Sequence, residues 1–405
     1  MGPLNLVPLN LVPLNLGPLN QDLVNQILVQ LGLANLGLAN LGLLQLSLLV
    51  RWWLGWLLCR PMPVLPAAAL RGHPSVAVLI PARNEEATLP HLLQGLQRQT
   101  FRPQQVIVID DHSSDRTAAI ASQAFPELEI TLIQPPPLPA GWCGKTWALH
   151  RGVQACNAEL LVFLDADTEP APDFLASLLA CQQRLGGLVS VQPYHRTEKA
   201  YEQLSVLFNL VGLMAVPLGP GGGVAFGPAM VTSRADYVRS GGHAAVAGKV
   251  VEDWFLAHQY EQAGLPVSAY IGAGRLAYRM YPGGLGDMVV GFGKNFATAA
   301  AEVRGLRMVA VLLWLSGLFW AAWCLPASLL DWPMLGDRSL LPNLVLYGAF
   351  ALQLLLLSRR VGSFGWINLI LPLPVVFFLA VFLLAIANLE RGSVRWKGRT
   401  FSTRP

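Results

Sequence analysis

The chain has 405 residues, of which 53% are hydrophobic and 13% are charged, whereas soluble domains carry about 25% charged residues. This composition argues against a wholly soluble protein, because the surplus apolar surface must contact lipid. The formal net charge is only +4, and the polar part of the chain has no basic stripe with interleaved aromatic residues, which argues against nucleic-acid binding.

The N-terminal segment is repetitive. Residues 3–47 fall into nine pentads that begin PLNLV, PLNLV, PLNLG and end LANLG, LANLG, LLQLS. The LANLG copies resemble pentapeptide-repeat β-helix coils, but too few copies match to bury a core, and the early prolines argue against a regular helix. We therefore interpret residues 1–40 as low-complexity pentad repeats without a catalytic part.

The first candidate span is Leu41–Leu58, which contains Arg51 and is followed by Arg60. It is predicted to be either an anchor whose basic side chains extend to the membrane surface or an uncleaved signal-like helix. The flanks hold no convincing Ala-x-Ala cleavage site. We therefore expect residues 41–60 to stay as an N-terminal transmembrane anchor.

Two strand–turn–helix units follow the anchor. In the first, Val76–Ile80 is a predicted strand, and the leucines at positions 89, 92, 93 and 96 follow helical spacing. Asn84 can cap that helix, and Glu85 and Glu86 suit its positive end.

The second unit repeats this plan with a strand at Gln105–Ile109, a polar turn and a helix at Thr117–Ala124. Further strands are predicted at Leu128–Ile133 and Leu160–Leu164. The succession of strand, polar turn and helix indicates an α/β fold with a parallel nucleotide-binding sheet.

Asp165 and Asp167 come directly after the last of these strands. Ligands of parallel α/β sheets lie beyond the carboxyl ends of the strands. Carboxylates there can hold a hard divalent cation whose other ligands are water and phosphate oxygens. An isolated Asp-x-Asp also occurs in solvated surface turns, so the interpretation depends on the surrounding motifs.

Two further motifs carry charges that suit phosphate chemistry. Lys145 ends the sequence Gly-Trp-Cys-Gly-Lys, in which glycine lets the backbone approach a phosphate and the ammonium offsets its charge. Glu252 and Asp253 have apolar neighbours that would raise the pKa of a carboxyl toward the range of a general base. Alone, the lysine would indicate a surface loop and the acidic pair a helix cap.

Leu204–Leu218 is a semi-apolar run that Gly212 and Pro217 interrupt. We interpret it as a membrane-surface helix beside the site, with a buried core helix as the alternative. The five cysteines are scattered and form no metal-binding spacing, which fits reduced thiols.

Three candidate spans follow at Met308–Leu330, Leu341–Leu357 and Trp366–Leu389, the last two near the roughly 20 residues that a spanning helix needs. Basic residues flank this C-terminal region, which covers residues 306–390, and crowd the basic tail at 391–405. Such clusters favour the cytoplasmic face. Three spans cannot return to the same side, so either one segment is re-entrant or interfacial, or the charge rule fails here.

Five motifs occur in the order PARNEE, VIDDHSSD, GWCGKTWALHRGVQA, LLVFLDADTEP and VVEDWFLAHQYEQAG. This order resembles the inverting family 2 glycosyltransferases, which have the GT-A fold. GWCGK, RMY with GFGKN, and WKGR resemble more narrowly the membrane-linked branch associated with carotenoid and hopanoid lipids. The resemblance implies a GT-A catalytic domain, here residues 70–300, followed by transmembrane helices.

The resemblance also implies a nucleoside pocket, whose residues are Pro81, Asn84, Glu85, Asp110, Asp111 and Ser113. One of Asp110 or Asp111 would accept hydrogen bonds from the base or ribose, and Ser113 would support the turn. Helix capping is the alternative role for Asn84 and Ser113.

For the reacting groups, the resemblance implies that Lys145 lies near the diphosphate and that Asp165 and Asp167 hold Mg²⁺ or Mn²⁺, Asp167 the more directly. Asp253 would be the catalytic base, with Glu252 as the second choice.

The QxxRW motif of the cellulose and hyaluronan synthases, which are the processive branch of the family, is absent from the sequence. Arg279 would instead stabilise the diphosphate. Trp396 would line the acceptor site, or the tail that carries it would be a positive-inside anchor.

The sequence therefore predicts an inverting glycosyltransferase that moves one sugar from a UDP- or GDP-sugar to a lipid acceptor. We expect a multi-pass protein of the cell (inner) membrane with a cytoplasmic catalytic domain. A processive polysaccharide synthase is the alternative enzyme. A non-catalytic GT-A membrane scaffold or sugar-nucleotide sensor is the alternative of another class, and intact Asp165, Asp167 and Asp253 argue against it.

Overall fold

The computed structural model describes residues 33–60, 62–123, 125, 128–249, 251–302, 305–330, 340–390, 393–396 and 399–402. Met1–Val50 and Arg51–Pro405 form separate compact units. The pentads that precede residue 33 lie outside the described residues. The first helix, α1, covers Leu33–Cys59.

A seven-stranded sheet forms the centre of the second unit. Its strands stand in the order β3-β2-β1-β4-β8-β6-β9. Their bounds are β1 Val76–Ala82, β2 Gln105–Asp110, β3 Ile130–Ile133, β4 Leu160–Leu164, β6 Leu188–Gln192, β8 Ala229–Ser233 and β9 Val267–Ile271. A second, three-stranded sheet holds β5 Thr168–Pro170, β7 Tyr194–His195 and β10 Leu276–Tyr278.

The four strands predicted from the sequence are present and are parallel to one another. The sheet as a whole is mixed, because β8 runs antiparallel to both β4 and β6. The prediction of an α/β sheet is confirmed, and the expectation that all its strands are parallel is wrong.

Helices cover both faces of this sheet. Along each strand, successive side chains point to opposite faces of the sheet. On β1, Val76, Val78 and Ile80 pack against one core cluster, whereas Ala77 and Leu79 pack against the other. The helices of this layer are α2 Leu89–Gln97, α3 Thr117–Ala121, α4 Gly144–Gln154, α5 Phe174–Leu185, α7 Arg234–Arg239 and α8 Glu252–Gln262. All four leucines predicted to face the core on α2 are buried.

The remaining helices form an apolar layer with its own core. Their bounds are α6 Val206–Met214, α9 Leu285–Glu302, α10 Leu306–Leu329, α11 Leu340–Ser358 and α12 Pro372–Glu390. Gln353 of α11 connects α10 and α1, because it accepts a hydrogen bond from Trp314 Nε1 at 2.9 Å and donates one to the Trp52 carbonyl. Leu312, Leu344 and Leu352 leave their side chains exposed on the outside of the layer.

Two of the four predicted spans are helices long and apolar enough to cross a membrane, namely α10 with 24 residues and α11 with 19 residues. Leu46–Cys59 and Pro372–Ala387 are shorter apolar helices. The segment predicted as one span from Trp366 to Leu389 is divided, because a short 3₁₀ turn at Trp366–Leu369 ends before α12 begins at Pro372.

Leu204–Leu218 is not one surface helix. A 3₁₀ turn at Ala200–Ser205 leads into α6, in which seven of the nine residues are buried. The alternative of a core helix is therefore correct, and the interpretation as a membrane-surface helix is wrong. The physical reason is that α6 packs into the apolar core of the helical layer.

Candidate active site

The ends of β1, β2 and β4 come to one edge of the sheet, and the loops after them carry most of the predicted site residues. The β4 loop turns sharply, since Asp165 N donates to the Pro228 carbonyl and Thr168 Oγ1 donates to the Asp165 carbonyl. Asp165 and Asp167 are both half-buried at this turn. The structure thus has the two carboxylates at the carboxyl edge, as the sequence predicts.

Lys145 lies in the first turn of α4 and connects two distant acidic residues. Its Nζ lies 2.8 Å from Asp165 Oδ1 and 3.0 Å from Glu252 Oε1. It also donates to the Gly227 carbonyl at 3.4 Å. One ammonium therefore joins the end of β4, the start of α8 and the loop before β8.

Burial and charge together set the protonation of this cluster. Burial opposes the ammonium, but the carboxylates of Asp165 and Glu252 outweigh burial and raise the pKa of Lys145. The same ion pair overcomes burial at Glu252 and lowers its pKa. At Asp165, burial outweighs the ion pair and raises the pKa of the carboxyl.

Asp253 lies beside this cluster and is held differently from Glu252. Its Oδ2 accepts a hydrogen bond from Gly227 N at 2.7 Å, and its Oδ1 accepts one from Trp254 N at 2.9 Å. Burial, with the neighbouring charge of Glu252, raises the pKa of Asp253 to about 6. Two adjacent carboxyls thus have pKa values shifted in opposite directions.

Gly227 belongs to this site, although sequence reasoning did not identify it. A Cβ atom at this position would lie 3.0 Å from Lys145 Nζ and 3.3 Å from both Asp253 Oδ2 and Glu252 Oε1. Any side chain would therefore press on all three charged groups. A glycine before a strand carries no such signal in the sequence, because the contacts join residues that are far apart in the chain.

The loops after β1 and β2 are joined by reciprocal hydrogen bonds. Asn84 N donates to Ser113 Oγ at 3.0 Å, and Ser114 N donates to Asn84 Oδ1 at 2.9 Å. Asn84 and His112 both have positive φ, near 54° and 55°, a conformation in which Asn and His are over-represented.

Neither Asn84 nor Ser113 caps a helix. The cap position of α2 is Thr88 and that of α3 is Arg116. The alternative role of Asn84 as the cap of α2 is therefore wrong, because Asn84 lies four residues before the cap position and makes its hydrogen bonds to the second loop.

Asp110 and Asp111 have different surroundings. Asp110 is fully buried, and its two carboxylate oxygens accept from Ser113 N at 3.1 Å and from Gln134 Nε2 at 2.8 Å. Asp111 Oδ2 lies 3.7 Å from Arg83 Nη1. Asp110 therefore holds the loop in shape, and Gln134 is a second contributor that the sequence did not reveal.

Pro81 and Glu85 complete the first loop. Pro81 is half-buried near the end of β1, where it pairs with Ile109. Glu85 N donates to Thr117 Oγ1 at 2.8 Å, and its carboxylate accepts from Thr88 Oγ1 at 2.7 Å. The charge of Glu85 contributes to the raised pKa of Asp165, so the first loop interacts electrostatically with the Asp-x-Asp turn.

Arg279 follows β10, whose last residue, Tyr278, pairs with Thr168 of β5. The guanidinium of Arg279 contacts Glu202 Oε1 at 2.7 Å and Glu198 Oε2 at 2.6 Å. Arg279 is thus paired with these two glutamates, and its predicted role at the diphosphate stays a prediction.

The fit of a divalent ion follows from the donor set. Within the described ranges, no group of three or more His, Cys, Asp or Glu residues could hold a metal ion. Asp165 and Asp167 are two hard oxygen donors at a half-exposed turn. This set fits Mg²⁺ or Mn²⁺, since Mg²⁺ in particular is held by one or two carboxylates and completes its shell with phosphate and water.

The motifs near the C-terminus are described only in part. A two-stranded hairpin joins β11 Ser393–Trp396 to β12 Arg399–Ser402. The side chains of Trp396, Lys294 and Asn295 lie outside the described residues, so their predicted roles stay predictions.

Comparisons with known proteins agree with this geometry. Residues 77–212 match the family described as Glycosyl transferase family 2. The 4,4'-diaponeurosporenoate glycosyltransferase of Staphylococcus aureus is 33% identical over 343 residues, which cover 82% of this chain and 89% of that protein.

Solved structures that resemble the chain include a mannosyltransferase from Pyrobaculum calidifontis in complex with GDP-Man and Mn²⁺. It is 18% identical, with a TM-score of 0.49, over 84% of this chain and 94% of the other. Glucosyl-3-phosphoglycerate synthase from Mycobacterium tuberculosis, in complex with Mn²⁺ and UDP, is 21% identical, with a TM-score of 0.38, over 57% and 80% of the two chains.

The charge cluster makes a prediction about stability. Lys145→Met leaves Asp165, Glu252 and Asp253 without the ammonium between them, so it should lower the free energy of unfolding by about 1–3 kcal/mol, toward the low end because the lysine is partly exposed. The loss should be larger at pH 8 than at pH 5, because Asp253, whose pKa is about 6, gains a proton at the lower pH and this relieves the repulsion.

Thermal unfolding in detergent at the two pH values measures this effect. Lys249→Met is the matched control, since Lys249 is exposed and lies over the Phe255 ring. Equal losses in the two variants, or the same loss at both pH values, would contradict the assignment.

Proposed function

The chain belongs to glycosyltransferase family 2, and from this premise we propose that it transfers one sugar from a UDP- or GDP-sugar to the hydroxyl or carboxyl group of a lipid acceptor. The observation that carries the proposal is the meeting of three groups at one sheet edge. These are the carboxylates after β4, the ammonium of Lys145 and the weakly acidic Asp253.

The donor is held at the sheet edge. Asp165 and Asp167 would hold Mg²⁺ or Mn²⁺, and the bound ion would offset negative charge on the leaving diphosphate. Lys145 stands in the first turn of α4, where the helix dipole adds to its positive charge. We propose that Lys145 contacts the diphosphate oxygens while Glu252 keeps the ammonium in position.

The nucleoside is assigned to the pocket between the first two loops. Pro81, Asn84 and Glu85 lie on the first loop, and Asp111 and Ser113 lie on the second. The hydrogen bonds of Asn84 with Ser113 and Ser114 support a pre-formed frame, and the buried carboxylate of Asp110 fixes the turn of the second loop. A frame that needs no rearrangement binds its ligand at a lower entropic cost.

The division of work between Glu252 and Asp253 follows from their surroundings. Neighbouring carboxyls whose pKa values are shifted apart can take different roles in one site. Glu252 is ion-paired with Lys145, so its lone pairs are engaged and its pKa is low. Asp253, with a pKa of about 6, is ionised at neutral pH and is the better proton acceptor of the two.

The reaction is a single displacement with inversion. The acceptor oxygen attacks the anomeric carbon of the sugar, and the bond between that carbon and the diphosphate oxygen breaks. The diphosphate leaves with the bonding electron pair. When the acceptor is a hydroxyl, its proton passes to a carboxylate oxygen of Asp253, and when it is an ionised carboxyl, no proton has to move.

We further propose that α10 and α11 cross the membrane as a hairpin whose two ends lie on the cytoplasmic side. Arg307, at the start of α10, donates to the Leu58 carbonyl at 3.4 Å, and Arg360, just after α11, donates to the Cys59 carbonyl at 2.6 Å. Both basic ends therefore meet the end of α1. Two spans return to the starting side, which satisfies the charge rule that three spans could not.

The decisive experiment on function supplies membranes containing the full chain with UDP- and GDP-sugars and extracted lipids. We expect one discrete glycosylated lipid, identified by mass. Chelation should abolish formation of this lipid, and added metal should restore it. In Asp167→Asn the product should not form at any metal concentration. Glu169→Gln is the control, since this neighbouring acid pairs with Arg196 instead.

Each alternative gives a different result in that experiment. Long glycan products would support the processive synthase. Nucleotide binding without any product would support the sensor. Full activity in the presence of chelator would contradict the metal assignment.

Asp253→Asn tests the mechanism. With a hydroxyl acceptor, transfer should fall by about 10²–10⁴, the usual contribution of positioned proton transfer, while nucleotide affinity measured by calorimetry should stay nearly constant. In the parent enzyme kcat/KM should fall as the pH drops below about 6, because protonated Asp253 accepts no proton. The variant should lack this inflection.

Glu261→Gln on the same helix is the control. If Asp253→Asn transfers at the parent rate and Glu252→Gln does not, then Glu252 is the base. If neither change slows transfer to a hydroxyl, the acidic pair has no part in proton transfer.

The membrane arrangement is tested by a protease site inserted between α10 and α11. Cleavage should occur in right-side-out vesicles and not in inverted ones, because the hairpin loop is expected on the outer face. The reverse pattern, or cleavage in both preparations, would refute the proposed orientation.

A further inference from the structure

A cavity of about 450 Å³ lies between the catalytic site and the apolar helices. Its wall combines α6, α10 and α12 with the residues around Asp253. We propose that this cavity binds the apolar chain of the acceptor and directs the acceptor's hydroxyl or carboxyl group to Asp253. This inference rests on the proposed function and specifies where its second substrate binds.

The chemistry of the wall favours a hydrocarbon. Asp253 is the one charged residue among those that line the cavity, and aliphatic and aromatic side chains make up most of the rest. The aromatic members are Phe226, Trp254, Phe319, Phe378 and Phe382. A sugar or nucleotide would give up hydrogen bonds to water and find few partners here. An apolar chain makes no hydrogen bonds to water, so it loses none on entering the cavity.

The shape of the cavity favours an elongated chain. The lining residues of α10 run from Met308 to Phe319 along one helix face. At 1.5 Å per residue this face extends for about 16 Å. Leu312 lines the cavity and is 56% exposed, so solvent-sized molecules reach this part of the wall. The cavity thus has a mouth on α10, the longer of the two helices that are assigned to the membrane.

The other end of the cavity reaches the reacting groups. Asp253 Oδ2 is fixed by Gly227 N, and Trp254 borders the cavity next to it. A chain that enters from the bilayer at Leu312 would therefore bring its polar end to the proton acceptor without passing through water. The donor is assigned to the Lys145 side of the same acidic pair, so the two substrates would approach from opposite sides.

The size of the cavity also argues for an occupant. Protein interiors are close-packed, and few voids in them exceed the size of a water molecule. Apolar cavities stay dry and bind apolar molecules. Gly212 adds to the opening, since a Cβ atom at this position would meet no atom within 4 Å. A larger side chain at residue 212 would therefore extend into the cavity and reduce its volume without a clash.

Gly212→Leu is therefore the test variant, because its side chain should fill part of the cavity. Gly348→Leu is the matched control. It makes the same change in α11, where a Cβ also meets no atom within 4 Å, but residue 348 is exposed on the outside of the layer and does not line the cavity. Both variants place leucine in an apolar helix, so a general effect on folding should appear in both.

The full chain is placed in bilayer nanodiscs with a long straight-chain fatty acid that carries a diazirine near its methyl end. After irradiation, peptide mapping should find label on the lining residues of α10 and α12 that are distant from Asp253, such as Phe319 and Phe382. Labelling there should fall at least tenfold in Gly212→Leu and stay unchanged in Gly348→Leu. Nucleotide affinity, measured by calorimetry, should be the same in both.

Label confined to outward-facing residues such as Trp323 and Leu356, or unchanged labelling of the cavity in Gly212→Leu, would overturn the proposal. Cavity labelling with no sugar transfer to any lipid would support the cavity and refute the proposed function. Sugar transfer to a lipid without cavity labelling would support the proposed function and refute the cavity as the acceptor site. The two claims can therefore fail separately.

Discussion

The contact of one ammonium with two carboxylates is the constraint on which the site depends. Lys145 Nζ lies within 3.0 Å of both Asp165 and Glu252, and these residues belong to α4, the end of β4 and the start of α8. Three elements that are distant in sequence are thereby fixed at one edge of the sheet. An unpaired carboxylate in this half-buried place would be costly, so the lysine stabilises the fold at the sheet edge.

The helical layer supplies an apolar environment next to the charged edge of the sheet. An enzyme that joins a polar donor to an apolar acceptor needs two environments that meet at the reacting atoms. The sheet edge supplies charges and hydrogen-bond donors, and α6, α10 and α12 supply a hydrocarbon wall. Asp253 belongs to both regions, because it is held by Gly227 at the sheet edge and lines the cavity.

Local patterns predicted the first half of the fold well. The strands β1, β2 and β4 are continuous apolar runs, and α2 shows four leucines at helical spacing, so each is specified by its own residues. The strands β6, β8 and β9 were not predicted, and the antiparallel direction of β8 depends on pairing with β4 over a long sequence separation. The roles of Gly227 and Gln134 have the same origin, since both act through partners far along the chain.

Glu252 and Asp253 are adjacent at the start of α8, but their carboxylates have different partners. Successive helical residues point about 100° apart, so one carboxylate faces Lys145 while the next faces Gly227 and the cavity. An acidic pair at a helix N-terminus is stabilised by the helix dipole whichever residue performs chemistry, and for this reason the sequence pattern alone did not divide the roles. The ion pair with Lys145 lowers the pKa of Glu252, whereas burial, together with the charge of Glu252, raises the pKa of Asp253. The carboxylate that pairs with Lys145 thus also helps to make its neighbour the weaker acid of the two.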